Sequence, residues 1–490
     1  VAVRTLVRYA ERAMERASDA PQVHGNTARL LVDGTQAFPA WLAAIASARD
    51  WIHLENYIIR PDRTGLLFRD ALCERARAGV RVRVLCDWMG CWATPSRFFR
   101  PFRDAGVELR FFSPPRATNP LGFLRRDHRK VVAVDGEWAS VAGMCIGDEW
   151  AGDPERGIPA WRDTGAEFRG PVAAALDVAF SRTWARAGGP LPPDEVPDPE
   201  GMRSVGDVSV RVVEGVPAKS RVYRLSQFLT LAVERRLWMT DPYFLVPPAM
   251  AEALASAARG GVDVRVLLPA FNNWPIVGGM SRAGYRPLLE AGVRIFEWEG
   301  PMIHAKTAVA DGVWSRVGSS NQNLASLLGN FELDVAVTDR HFAAEMEALF
   351  ESDLASSVEL RLLSSRVSRS PYRDRRAAER VLAENPGDEH KPGRAKAREA
   401  RARSYRGTEL GRLAGRLARA GSVLVRALLG ERAIGQEDIG WIAIVALLLF
   451  LVAAVGFLFP SWLAWPVAFF IFWLGVAALV RIATQHPPEE

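Results

Sequence analysis

The stretch 302–332, MIHAKTAVADGVWSRVGSSNQNLASLLGNFE, sets His304, Lys306 and Asp311 in the spacing H-x-K-x4-D. Gly318-Ser319-Ser320-Asn321 and Asn330-x-Glu332 follow. If Ile303 to Ala310 is a strand, period-2 alternation puts His304 and Lys306 on one face. A nucleophilic or acid/base imidazole then stands beside a fixed positive charge. The hydroxyl, amide and glycine turn downstream are suited to holding an oxyanion. The same spacing returns at His128, Lys130 and Asp135 in DHRKVVAVDG, 127–136. One copy would be commonplace, but two in one chain are hard to dismiss.

The repetition extends outward from the motifs. AGVRVRVL at 78–85 matches GGVDVRVL at 260–267, and each copy runs on to its own histidine. Around the first copy, apolar helical spacing over 38–48 gives way to a strand near 51–59, a helix near 66–78 and a strand near 80–85. Segment 211–270 repeats this pattern. We expect two duplicated α/β sandwich domains related by a pseudo-twofold. The organisation read from the sequence is an extension at 1–28, a first domain at 29–190, a Pro-, Gly- and acid-rich linker at 191–206 and a second domain at 207–360. A basic juxtamembrane segment at 361–435 and a membrane hairpin with its tail at 436–490 complete it.

The tail carries the charge. Between Arg366 and Arg432 there are 18 Lys+Arg against 8 Asp+Glu, so of the net +6 the remainder of the chain holds about −4. A body without basic excess argues against nucleic acid as a partner. Leucines at 413, 417, 424 and 428 recur at helical spacing among arginines, the pattern of an amphipathic helix on an anionic membrane surface. From Trp441 to Val480 the chain has no charge and is broken at Pro460-Ser461. Each half is long enough to cross a hydrocarbon core, so a transmembrane hairpin is expected, both ends cytoplasmic by the positive-inside rule. The first twenty residues lack an apolar core and do not read as a signal peptide. Four cysteines without C-x2-C spacing argue against a disulfide framework or a structural zinc site.

The paired H-x-K-x4-D motifs, with WRDTGAEFRGP at 161–171, DPYFLVP at 241–247, GSSN and NFE, resemble the phospholipase D superfamily, and within it the bacterial cardiolipin synthases. The resemblance covers roughly 28–350. It implies a phosphatidyltransferase that joins two phosphatidylglycerols through a phosphohistidine, without metal or cofactor, at the cell membrane and with its catalytic domains in the cytoplasm. By that resemblance His128 attacks phosphorus and His304 handles the protons of the two alcohols, or the reverse. Lys130, Lys306, Ser319 and Asn321 hold phosphoryl oxygens, while Asp163 and Glu332 orient the imidazoles. Asp135 and Asp311 complete the catalytic motif, but we read them as salt-bridge partners past the strand's far end.

Two departures stand out. Cys145 occupies the position corresponding to Asn321 and is a much weaker hydrogen-bond donor. The hairpin also lies toward the carboxyl end, where many cardiolipin synthases are expected to carry it at the amino end. The rival readings are a phospholipase D hydrolase that passes the phosphatidyl group to water, a nuclease, and a membrane scaffold with a decayed site. Acceptor identity and oligomeric state are not legible. Because no residues fall at metal-ligand spacing, turnover is expected to be indifferent to EDTA. Loss of activity that a divalent ion restores would overturn this.

Overall fold

An Asp-Gly turn closes a hairpin in each half of the molecule, and the H-x-K-x4-D motifs end on these turns. Asp135-Gly136 and Asp311-Gly312 all have positive φ (54°, 65°, 52° and 68°), the geometry of a two-residue type I′ turn. The computed structural model describes residues 11–115, 125–153, 155–217, 219, 221–363 and 366–371. The first-half strands are β1 Gln22–Val32, β2 Trp51–Asn56, β3 Arg81–Asp87, β4 Glu108–Phe112, β5 Lys130–Val134, β6 Trp138–Ala142 and β7 Thr164–Arg169. Those of the second half are β8 Val208–Gly215, β9 Arg236–Thr240, β10 Asp263–Pro269, β11 Arg294–Trp298, β12 Thr307–Ala310, β13 Trp314–Gly318 and β14 Glu332–Thr338, followed by β15 Ser357–Leu363 and β16 Arg366–Pro371.

All of these strands belong to one sheet, and β1 pairs antiparallel with β8 at its middle. From that seam the order is β1-β7-β6-β5-β2-β3-β4 on one side and β8-β14-β13-β12-β9-β10-β11 on the other, the same path twice. The duplication is therefore structural. The β2–β3 and β9–β10 pairs are parallel, each joined by a crossover helix (Arg63–Arg77 and Pro248–Arg259). Asp62 caps the first of these helices by accepting the Gly65 N–H, and Arg75 and Arg77 stand in its last turn, where the helix dipole favours positive charge.

The strands are short runs of buried Val, Ala and Leu. One core, containing Trp41, Phe68 and Val132, lies within the first half, and another, containing Met250, Leu268 and Trp314, within the second. A third is shared: Val131, Val141 and Phe168 pack with Val317, Val335 and Phe342. Every residue of it left exposed by separating the halves would lose the burial that drives folding, so the halves form one folding unit.

The described residues fall into two units. The sheet and its helices form one; the helix Pro275–Ala283 with its flanks represents the other. The sheet continues through β16 to Pro371, past residue 360, where the sequence reading ended the second domain. The strand expected from Ile303 begins only at Thr307, so His304 and Lys306 stand at the mouth of β12 and not within it. The amphipathic segment and the uncharged hairpin lie outside the described residues. Among the described residues no helix is long and apolar enough to cross a membrane.

The structure also places Asp135 and Asp311. Asp135 accepts the backbone N–H groups of Arg49, Asp50 and Trp51, each at 2.9 Å. Asp311 accepts those of Glu234, Arg235 and Arg236 at the same distance. They tie each hairpin turn to the start of the neighbouring strand. Their work is thus backbone capping; the nearest ion-pair contact of Asp135, to Arg49, is 3.9 Å long. Asp135→Ala and Asp311→Ala should each cost about 1–3 kcal/mol, since three donors lose their acceptor and Ala fits the left-handed region poorly. Chemical denaturation measures this, and kcat of the folded fraction should change little.

Candidate active site

Each histidine segment pairs, backbone to backbone, with a segment from the other half. His128 N–H donates to the Phe331 carbonyl at 2.9 Å, and His304 N–H to the Arg162 carbonyl at 2.7 Å. These bridges put Glu332 beside His128 and Asp163 beside His304. His128 Nδ1 lies 3.0 and 3.1 Å from the two Glu332 oxygens. His304 Nδ1 lies 2.8 Å from Asp163 Oδ2. A carboxylate on Nδ1 keeps the proton there and leaves Nε2 with its lone pair, the tautomer that a nucleophile or base requires. Each half therefore orients the other half's histidine.

The carboxylates are themselves fixed. Asp163 also accepts the Trp150 indole N–H at 3.1 Å and the Thr164 N–H at 2.8 Å. A Cβ on Gly143 would come within 2.3 Å of Asp163 Oδ1, so glycine is required there. Arg162 is buried and bonded to Asp353 and Asp33, which come from different halves, and holds the strand that presents Asp163. Glu332 accepts the Ser319 hydroxyl at 2.5 Å and the Asn330 amide at 3.2 Å. The Ser319 hydroxyl is therefore engaged in positioning Glu332, whereas the sequence reading assigned it to phosphoryl oxygens. Asn321 donates one Nδ2 N–H to Ser326 at 3.3 Å, which leaves the second N–H of the amide for another acceptor, while its buried Oδ1 has no partner among the described residues.

Lys130 and Lys306 are fully buried, and each donates to the carbonyl of its own histidine. Lys306 Nζ also stands 2.9 and 3.0 Å from the two ring nitrogens of His304. Two unit charges at such a distance repel by about 5 kcal/mol at an effective dielectric constant of ~20, so protonating both is strongly disfavoured while the site holds no anion. Burial first and Lys306 second push His304 down to about 3, and burial, opposed by Asp163, takes Lys306 down to about 8. His128 is lowered by burial, while Glu332 pulls the other way. Cys145 is buried among these groups, and burial raises its thiol against the pull of Lys130, so it sits in the site as a neutral group. Among the described residues no group of three or more His, Cys, Asp or Glu could hold a metal ion.

The sequence reading missed the aromatic walls. Tyr57 meets the His128 ring edge-on at 4.9 Å, and Tyr243 meets that of His304 at 5.8 Å. Trp150 and Trp161 flank His304 at 5.6 and 5.7 Å. The two tyrosines each follow the end of an equivalent strand, β2 or β9, so aligning the two copies would have exposed them. Trp92 and Trp274 are exposed, and Trp298 donates to the Pro301 carbonyl at 2.6 Å.

The family model for the cardiolipin synthase, PLD-like domain matches residues 41–149 and 225–354, one segment in each half. Cardiolipin synthase A of Pseudomonas aeruginosa strain LESB58 is 36% identical over 354 residues, covering 71% of this chain and 71% of that protein. The Pseudomonas putida W619 protein of the same name is 34% identical over 353 residues, covering 71% and 73%. The crystal structure of phosphatidylserine synthase from Haemophilus influenzae Rd KW20 superposes with a TM-score of 0.57 at 14% identity, over 77% of this chain and 97% of that one. At that identity the likeness speaks for the fold alone.

The crossed pairs yield a direct test. Glu332→Gln and Asp163→Asn keep the shape but allow the wrong imidazole tautomer, and each should lower kcat by about 10²–10⁴-fold with little change in melting temperature. Steady-state kinetics beside a thermal melt would check this, and wild-type turnover in either variant would remove the orienting role.

Proposed function

The chain belongs to the cardiolipin synthase family of phospholipase D-like phosphatidyltransferases, and on that premise we propose that it joins two phosphatidylglycerol molecules into cardiolipin and releases glycerol. The observation that carries the reading is the pair of buried imidazoles, each with Nδ1 on a carboxylate of the opposite half. His128 Nε2 attacks phosphorus and forms a P–N bond as the P–O bond to glycerol breaks, and His304 gives that oxygen its proton. His304 then takes the hydroxyl proton of the second phosphatidylglycerol, whose oxygen attacks phosphorus and breaks the P–N bond. Lys130, Lys306 and Asn321 hold the phosphoryl oxygens. Ser319 acts through Glu332.

One observation favours the reversed assignment. Lys306 touches both ring nitrogens of His304 and holds it neutral, the form a nucleophile needs. Acid-quenching a reaction with labelled phosphatidylglycerol and mapping the phosphorylated histidine decides between them. The substrate resides in a bilayer, and the arginine-rich tail and uncharged hairpin provide the attachment in this proposal.

The same labelled lipid, resolved into cardiolipin, phosphatidic acid and glycerol, tests the function. Cardiolipin and glycerol in equal amounts are expected. Phosphatidic acid as the main product would make the protein a hydrolase. His128→Ala and His304→Ala should each abolish turnover at an unchanged melting transition.

A further inference from the structure

Directly behind His128 lies a group of charges that the mechanism does not use. Glu55, near the end of β2, and Asp127, immediately before His128, are both fully buried. Asp127 Oδ1 accepts the Arg129 N–H at 3.3 Å, but its Oδ2 and both Glu55 oxygens find no donor among the described residues. The carboxyl groups lie within hydrogen-bonding reach of each other. Two carboxylates are acceptors only, so facing each other without water or donors they would be unsatisfied and mutually repelled. One proton between them removes both costs, since a carboxyl donates where a carboxylate accepts.

The surrounding groups offset this only in part: the Thr183 hydroxyl lies near Glu55, and the Arg129 charge acts on both carboxyl groups, its buried Nε without a partner among the described residues. Arg129 directs Nη1 to the Ala179 carbonyl and Thr183, on the helix Pro171–Ala187, and Nη2 to Glu214 on β8. Asp87, at the end of β3, adds further negative charge; it accepts the Asp127 N–H at 2.8 Å and pairs with Arg126 at 3.0 Å. Burial raises both members of the pair, Asp127 to about 7. The second half has no such pair: Thr240 stands on β9 where Glu55 stands on β2.

We infer that Glu55 is a positioning residue for His128: Glu55 and Asp127 share one proton, and this carboxyl–carboxylate hydrogen bond fixes the turn that delivers the imidazole to Glu332. Removing the proton leaves two negative charges in a dry space near a third, on Asp87, with the Arg129 guanidinium shared between them and Glu214. The Asp127 turn then shifts and the His128–Glu332 alignment is lost, so turnover falls on the alkaline side. The inference rests on the reading of His128 as a reacting group.

The test has a spectroscopic arm that needs no turnover. Infrared spectra of the full chain, with isotopically labelled glutamate carboxyls to separate Glu55 from the aspartates Asp241 and Asp334, should show a protonated carboxyl at neutral pH that disappears as pH rises. Its absence in the wild type overturns the inference whether or not the protein makes cardiolipin. In the kinetic arm, Glu55→Gln supplies a permanent N–H to Asp127. It should keep kcat at neutral pH and move the alkaline limb up by more than about one pH unit. Glu55→Ala, leaving Asp127 unsatisfied, should lower kcat by about a hundredfold at unchanged KM. An alkaline limb identical in the wild type, Glu55→Gln and Asp127→Asn would overturn the inference. If these variants do not fold, the wild-type spectrum decides alone.

Discussion

The exchange of carboxylates between the two halves constrains everything else in the molecule. An imidazole that must attack or shuttle a proton needs a fixed acceptor on its far nitrogen, and here that acceptor always comes from the other copy: Glu332 for His128, Asp163 for His304. The halves must therefore meet to within a few tenths of an ångström, the tolerance of a hydrogen bond. Three features provide that precision: the β1–β8 seam, the shared apolar core and the Arg162 bridge to Asp33 and Asp353. The last is a buried charge with partners on both sides. Such a group contributes little net stability when intact but is costly to break, so it opposes misalignment more than unfolding.

Burial has a second consequence. Both lysines and both histidines are removed from water before any substrate arrives, so the positive charge of the site is confined around Lys306, offset in part by Asp163 and Asp241. A phosphodiester anion entering there lowers the repulsion between Lys306 and His304. In the proposed reaction substrate charge thus adjusts the protonation of Lys306 and His304, and this coupling makes the proposed proton transfers depend on an occupied site.

Much of this was legible in the sequence because it is local or repeated. The two H-x-K-x4-D copies gave away the duplication, and the segments around Asp163 and Glu332 marked the orienting carboxylates. The pairing of those carboxylates was not legible, since it joins residues 141 and 204 positions apart. The role of Ser319 was hidden for the same reason: a hydroxyl near a phosphoryl site looks like a ligand until its contact with Glu332 is seen. Asp135 and Asp311 were legible as structural, but their closest contacts are backbone N–H groups, with Arg49 standing 3.9 Å from Asp135. With glycine beside them, their left-handed backbone marks a hairpin turn, and the side chain folds back onto three N–H groups. The tail's charge pattern concerns residues outside those described, and there the sequence remains the argument.

A twofold frame poses a problem for a reaction that is not twofold. One phosphoryl group needs one nucleophile and one acid, so equivalent histidines must be made unequal. The inequality is built in one step away from them. Asn56 pairs with Lys130 across β2 and β5, whereas Asp241 follows the Thr240–Thr307 pair and stands opposite Lys306. Asp241 accepts the Gln322 and Tyr243 N–H groups at 2.7 and 2.8 Å; burial raises it to about 6, and Lys306 opposes that. One lysine thus has a neutral amide beside it and the other a carboxyl group that titrates below neutrality. Cys145 against Asn321 repeats the contrast beside the lysines, among the groups proposed to meet phosphoryl oxygens, and Glu55 against Thr240 repeats it behind the histidines. The duplicated scaffold supplies position, and these three unmatched pairs give its two halves different charges to bring to one phosphorus atom.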